Sequence, residues 1–342
     1  MKVLVTGAAG FIGMHVCQRL AARGDKVTGL DNLNAYYDVS LKQARLAIAR
    51  AQRGFDFVQV DVGHRAALAH AFAAHKPERV IHLAAQVGVR NSLKDPAAYV
   101  DTNLGGFGNV LEECRKHQVG HLVYASSSSV YGGNTNLPFS EDDNVDHPVS
   151  LYAATKKANE LMAHAYSHLY RIPVTGLRFF TVYGPWGRPD MAPFLFARAI
   201  QEGRPLDVFN HGDMSRDFTY IDDAVEAVLR ICDKPAEPDP AFDSAAPNAA
   251  TSNAPYRVFN VGNSQPVPLL DFIAALESAI GRQAQKNLLP MQPGDVQATA
   301  ADTAALEDWI GYHPATALAE GVSRFAEWYL GHYPSSNKGA NQ

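Results

Sequence analysis

The sequence predicts an α/β fold: a doubly wound parallel sheet with helices on both faces, joined to a second, smaller α/β lobe. Three observations carry that prediction. Short β-branched runs alternate with longer helical stretches through the first half. Those runs are apolar almost throughout, as strands covered on both faces must be. The first run ends in a glycine-rich turn that opens a helix.

Taken in order, Lys2–Thr6 is the first strand and Thr6-Gly7-Ala8-Ala9-Gly10-Phe11-Ile12-Gly13 leads into a helix over Phe11–Arg23. Gly7 allows a sharp turn, Gly10 lets the backbone approach a pyrophosphate, and Gly13 lets helix and strand pack closely. The unpaired N–H groups of the helix start complete a Rossmann-type anion cradle. The spacing is GxxGxxG, and a glycine triplet alone would also fit an ordinary turn. The next strand, Lys26–Asp31, ends in an acid 18 residues after Gly13, placed to accept hydrogen bonds from the adenosine ribose and to repel a 2′-phosphate. The cofactor is therefore NAD rather than NADP. A helix over Leu41–Arg53 precedes a strand over Phe55–Asp61, where Asp61 holds the adenine edge or simply shapes a turn. Helices over Arg65–Ala74, Pro96–His117 and Leu151–Tyr170 alternate with strands over Arg79–Ala84, His121–Ser126 and Val174–Phe180. Right-handed crossovers make the set doubly wound.

The second half is less regular. Gly184–Pro193 is too rich in Gly and Pro to be a core element, and Lys234–Pro255 is expected to be an exposed, mobile loop for want of apolar surface. Arg257–Val261 has the pattern of another buried strand, Leu269–Ile280 and Leu318–Leu330 those of helices, and the polar tail Ser335–Gln342 is expected to fray. The 342 residues suggest two domains. The expected division is a NAD-binding lobe over residues 1–180 and a smaller second lobe over most of 181–334, with 219–231 and 257–261 returning to the first lobe.

Composition removes other classes. Lys+Arg 30 against Asp+Glu 35 leaves a net charge of −5, so nucleic-acid binding lacks its electrostatic driving force. Three separated cysteines without a CxxC pair suit neither a disulfide framework nor structural zinc, and no metal is expected. No apolar run reaches the ~18 residues of a membrane span, and MKVLVTG is already strand and turn rather than leader. A cytoplasmic protein is expected.

The chemistry gathers in the middle of the chain. Tyr152 and Lys156 stand one turn apart on a helix, but 14 tyrosines and 11 lysines give about half such a pair by chance, so the pair needs context. Context comes from the serine run Ser126–Ser129 at the end of a parallel strand, where open α/β sheets place their ligands. Oxidising an alcohol with NAD requires a base on the hydroxyl oxygen. Tyrosine, with its ordinary pKa of ~10, serves only if neighbouring positive charge favours the phenolate.

Here a family resemblance enters. TGAAGFIG, DNLNAYYD, HLAAQVGVR, SSSSVYG, YAATK and RDFTYIDDAV resemble the extended short-chain dehydrogenase/reductases. More narrowly, DNLNAYYDVSLKQARL, FFTVYGPWGRPDMA and VFNHGDMSRDFTYIDD resemble the UDP-glucuronate 4-epimerases, over nearly the whole chain from Met1 to Leu330. The resemblance implies catalytic Ser127, Tyr152 and Lys156, the serine counted back from Val130-Tyr131-Gly132. It implies NAD contacts at Gly7, Gly10, Phe11, Ile12, Gly13, Asp31, Asn32, Asp61, Val62, Leu83, Ala84 and Ala85, with Tyr152 and Lys156 also touching the cofactor. The implied reaction is inversion at C4 of a UDP-sugar through a 4-keto intermediate, with Tyr152 as base and NAD tightly bound and regenerated each turnover.

A uronic acid oxidised at C4 is a β-keto acid, so its carboxylate must be held away from the alignment that releases CO₂. Arg188 is the candidate clamp, with a solvated loop arginine or a pyrophosphate ligand as the alternative. Thr181, Ser128 and Ser129 are candidate neutral donors. Arg216 resembles a grip on the UDP pyrophosphate, and Asp295, in Pro293-Gly294-Asp295-Val296, a uridine-ribose ligand. Arg90 is a weaker ligand candidate because Asn91 interrupts the family pattern, and Asn103 is either a sugar contact or a satisfied core amide. Decarboxylases and dehydratases of this family carry an acid just after the catalytic Ser/Thr, where this chain has Ser128 and Ser129. A UDP-glucose/UDP-galactose 4-epimerase and a catalytically idle NAD sensor are the remaining alternatives. The resemblance also implies a homodimer through helices Pro96–His117 and Leu151–Tyr170.

Overall fold

The structure, a computed structural model, describes residues 1–292 and 295–334. The Pro293-Gly294 pair of the expected uridine motif and the tail Ser335–Gln342 lie outside the described residues. The first half alternates strictly: β1 (Lys2–Thr6), α1 (Phe11–Ala22), β2 (Lys26–Asp31), α2 (Val39–Arg50), β3 (Phe55–Gln59), α3 (Arg65–His75) and β4 (Arg79–His82). Then come α4 (Pro96–Tyr99), α5 (Phe107–Lys116), β5 (Leu122–Ser127), α6 (Leu151–Tyr170) and β6 (Val174–Phe179). The second half adds β7 (Thr181–Tyr183), α7 (Ala192–Glu202), β8 (Pro205–Val208), β9 (Ser215–Tyr220), α8 (Ile221–Asp233) and β10 (Tyr256–Val261). It closes with β11 (Pro266–Pro268), α9 (Leu269–Ile280), β12 (Gln285–Leu288), α10 (Ala304–Ile310) and α11 (Leu318–His332).

Seven parallel strands form the central sheet in the order β10-β6-β5-β4-β1-β2-β3. β1, β5 and β6 are buried nearly throughout, because crossover helices cover both faces. β3, at the edge, is half exposed. β10 pairs with β6 from Tyr256↔Val174 to Val261↔Phe179, and α8 packs beside α1 in the same core. The second lobe holds a three-stranded sheet, β11-β9-β7, and a parallel pair, β12-β8. Its core joins that of the first lobe through Phe194, Phe218, Tyr220, Phe272 and Phe325. No described helix is long and apolar enough to cross a membrane.

The structure departs from the sequence expectation in three places. The helix expected over Pro96–His117 is broken by a π-helical turn, Val100–Gly106, whose freed Asn103 carbonyl accepts a 2.6 Å bond from the Asn159 side chain. The strands expected to reach Asp61 and Ala84 stop at Gln59 and His82. There Asp61 turns the chain by accepting from the Gly63 N–H, and the Ala84 N–H donates to Thr6 Oγ1. Lys234–Pro255 forms no helix or strand, yet it is not wholly exposed: Ala236, Ala250, Ser252 and Ala254 are buried. Small side chains let this segment lie against the β10 edge, where Asp239 meets Arg257 at 3.3 Å and Thr251 bridges Arg257.

Behind this edge Glu141 is buried with its Oε1 accepting from the Asn260 N–H at 2.6 Å. Burial raises its carboxyl to about 7. A carboxyl raised above its unfolded value penalises folding once ionised, so this group costs stability as pH climbs from 4.5 through 7. Glu141→Gln keeps the acceptor without the charge. Thermal or urea unfolding should show the variant about 2–3 kcal/mol more stable than the parent at pH 8 and nearly equal at pH 5.

Candidate active site

The three glycines meet one another. A Cβ on Gly13 would stand 2.0 Å from the Gly7 carbonyl oxygen, and one on Gly10 2.9 Å from it. Gly7 has φ +73°, with Ala84 N and the Leu83 backbone 2.8 Å from where its Cβ would be. Only glycine fits all three positions. Gly10 caps α1 without a side-chain bond, so the N–H groups of Phe11, Ile12 and Gly13 stay open to an anion. Asp31, at the end of β2, accepts from the Ala9 N–H at 3.1 Å and from the Leu33 N–H at 2.8 Å, which fixes its carboxylate beside the cradle. Asn32 donates to Asp61 Oδ2 at 2.8 Å, while Asp61 Oδ1 accepts from the Gly63 N–H, so Asp61 both shapes the turn and orients Asn32 beside the cradle. Val62 packs under Gly106, and Leu83, Ala84 and Ala85 follow β4 directly against Gly7. This donor and acceptor set suits a dinucleotide: an anion site at the helix start, with a carboxylate one strand away.

Ser127 ends β5 and Tyr152 and Lys156 lie in the first two turns of α6. The Ser127 hydroxyl donates to Ser129 Oγ and accepts from the Ser129 N–H, both at 3.2 Å. Burial raises the Tyr152 phenol, against the pull of the Ser127 hydroxyl and the Arg188 charge, which both favour phenolate. Burial also lowers the Lys156 ammonium to about 8, and it donates to the Ala125 carbonyl at 2.8 Å. Tyr99 packs edge-on to Tyr152 with ring centroids 6.2 Å apart.

One buried ion pair holds this arrangement. Arg178 of β6 forks onto Glu160 of α6 through bonds of 2.9 and 3.0 Å. Ser126, next to Ser127, donates to the same carboxylate at 2.7 Å, and Arg178 also donates to the Tyr131 hydroxyl at 3.0 Å. Glu160 follows Lys156 by one helical turn, so the pair sets how α6 lies on β5.

Arg188 lies on the Gly184–Met191 loop, which forms no core element, and its fork takes Asp190, with Nε at 3.1 Å from Oδ1. Asp190 accepts a further bond from the Tyr36 hydroxyl at 3.1 Å. Thr181 stands two residues beyond Phe179, the register partner of Ser127, with Ser128 and Ser129 half-buried on the neighbouring strand end. Arg90 and Asp295 come together at 3.2 Å, and Arg90 also lies over the Phe209 ring. Arg216 spends its guanidinium on the carbonyls of Ser215, Val296 and Gln297. Asn103 is a satisfied amide, bonded to Gln86 and Thr155.

The chain matches the family model described as "NAD dependent epimerase/dehydratase family" over residues 3–262. It belongs to that family. A probable UDP-glucuronate 4-epimerase of Rhizobium meliloti (strain 1021) is 51% identical over 97% of this chain and 98% of its own. Among solved structures, the UDP-glucuronic acid 4-epimerase of Bacillus cereus, in complex with UDP-glucuronic acid and NAD, is 33% identical with a TM-score of 0.87. It is matched over 97% of this chain and all of its own. A UDP-glucose 4-epimerase of Thermotoga maritima is 28% identical with a TM-score of 0.84, over 97% of this chain and 99% of its own. Backbone likeness alone therefore does not separate a uronate from a neutral hexose within this epimerase/dehydratase family. The side chains around the reacting carbon must do so.

Sequence reasoning missed Asp190, Tyr36 and the Arg178–Glu160 pair. An arginine in the otherwise apolar run VTGLRF was the available signal for the pair, since a charge on a strand covered on both faces needs a partner. Ser127→Ala removes a hydroxyl that lowers the Tyr152 phenol. The rising limb of the pH–rate profile should therefore move to higher pH, with kcat down about 10²-fold. A limb that stays in place would separate Ser127 from that titration.

Proposed function

We propose that the protein is an NAD-dependent 4-epimerase, an isomerase that interconverts UDP-glucuronate and UDP-galacturonate. One observation carries the substrate: Arg188 already forks onto a carboxylate, that of Asp190, and its charge also favours the Tyr152 phenolate. In that centre Ser128 and Ser129 occupy the places where elimination or decarboxylation would want an acid.

The residues divide the work. Residues 1–180, with 219–231 and 257–261, form the NAD lobe, in which Gly7, Gly10 and Gly13 with the start of α1 take the pyrophosphate and Asp31 the adenosine ribose. Most of 181–334 forms the UDP-sugar lobe, where Arg216, Asp295 and Arg90 serve the nucleotide side. NAD held in that cradle would supply the reversible hydride chemistry that inversion at C4 needs. Tyr152 removes and later restores the 4-hydroxyl proton, Ser127 holds that oxygen, and Lys156 holds the nicotinamide ribose. Lys156 is buried, and its charge favours phenolate once the phenol ionises. Arg188, with Thr181, Ser128 and Ser129, grips the C5 carboxylate while the C4 ketone makes CO₂ loss easy. The substrate carboxylate takes the fork now held by Asp190.

The same Arg188–Asp190 pairing supports a second reading. A guanidinium already neutralised presents no net charge, which suits a neutral hexose. NMR of the purified protein with UDP-glucuronate and no added cofactor separates the two. UDP-galacturonate without UDP-pentose is expected, Tyr152→Phe should abolish it, and Arg188→Ala should slow it at least tenfold or release UDP-pentose. Turnover of UDP-galactose alone would move the substrate to the neutral hexose.

We further propose a cytoplasmic homodimer. Three buried, unpaired thiols support a reducing compartment. Exposed Leu161, Leu169 and Tyr170 on α6, with Val100 just after α4, support an interface between copies along these helices. Sedimentation should give twice 37.1 kDa, and a mass of one chain would remove the dimer.

A further inference from the structure

One buried charge has no part in the scheme above. Arg45, in the middle of α2, is fully buried, and among the described residues no carboxylate reaches its guanidinium. Its Nε and Nη2 donate to the Trp186 carbonyl at 3.0 and 2.7 Å, and Nη2 donates again to the Gly187 carbonyl at 3.0 Å. Nη1 donates to the Ala9 carbonyl at 3.4 Å and to the Tyr37 hydroxyl. Five contacts match the five N–H groups of the fork, so the cation is satisfied by dipoles instead of by an anion. A lysine at this depth would offer one point of attachment and could shed its proton; arginine keeps its charge and its planar geometry.

The acceptors lie on three separate segments: the glycine cradle, the DNLNAYYD stretch and the loop carrying Arg188. Two of them belong to a strained turn. Trp186 has φ +65°, in the left-handed region that bulky residues avoid, and its indole packs on Trp328 and His332 of α11. Arg188 follows two residues later, and Arg45 and Arg188 are near enough to repel. The loop carrying Arg188 would be pushed away from Arg45 unless its backbone were held.

We propose that Arg45 is a positioning residue for carboxylate recognition: it ties the strained Trp186–Gly187 turn to the cofactor cradle and thereby aims Arg188 at the sugar carboxylate. It touches neither substrate nor cofactor. The inference rests on the reading of Arg188 as the clamp, and it adds a second residue on which selectivity depends, 143 positions upstream of the first.

Calorimetric titration of the NAD-loaded protein with UDP-glucuronate and with UDP tests it, comparing wild type with Arg45→Lys. UDP lacks the carboxylate and serves as the internal control. The brace predicts UDP-glucuronate binding about tenfold weaker in the variant, with UDP affinity and bound NAD unchanged. Full retention of the preference for UDP-glucuronate over UDP, or equal loss of both ligands, would overturn the brace while leaving the clamp standing. A wild type that binds UDP-glucuronate no tighter than UDP would overturn the clamp and the brace together. If Arg45→Lys does not fold, Tyr37→Phe carries the test, because it leaves one guanidinium N–H buried without its acceptor. About a threefold loss of preference is expected there, and none would overturn the proposal.

Discussion

The site depends on one buried ion pair. Arg178 on β6 and Glu160 on α6 meet below the serine run, and Ser126 and Tyr131 fill their remaining hydrogen-bonding capacity. Breaking such a pair from one side costs about 3–5 kcal/mol, because the surviving charge stays buried. That penalty locks the helix against the sheet at one rotation and one height. Tyr152 and Lys156 ride on that helix and Ser127 on the adjoining strand, so the spacing of proton donor and acceptor is inherited from the pair.

The environment around the three reacting groups works against the charged forms. Burial alone pushes the Tyr152 phenol up and the Lys156 ammonium down. The chain answers with the Ser127 hydroxyl and the Arg188 guanidinium, both of which favour the phenolate. A positively charged cofactor in this low-dielectric space would act strongly on the phenol.

The sheet was legible because its period is strong: apolar five- and six-residue runs between helical stretches place β1, β2, β5 and β6 to within a residue. Gly7, Gly10, Gly13 and Asp31 were legible for the same reason, since each occupies a fixed offset from a strand end. The strands of the second lobe were not. β9 pairs with β7 and β11, and β8 with β12 some eighty residues later, so no local pattern signals them. The π-helical turn is likewise decided by the Asn159 side chain, 56 residues from the carbonyl it satisfies. The apolar run VTGLRF around Arg178 signals a buried charge, whereas Arg45, in the polar-faced stretch SLKQARL, looks like a surface charge in sequence. Only the structure shows Arg45 fully buried.

The seventh strand also bears on how the chain is made. β10 pads the open edge of β6, but the two are separated by β7, α7, β8, β9 and α8. A growing chain emerging from the ribosome completes six strands and then exposes the backbone of β6 until Tyr256–Val261 arrives. The stretch from β7 to α8 is inserted between two neighbouring strands, while β11 and β12, which complete the sheets of the second lobe, follow β10. Sealing the central sheet therefore joins strands far apart in sequence, which carries a high contact order and a slow closing step. The small-residue segment that delivers β10 lies along that edge, so it reaches the sheet just ahead of the strand that seals it.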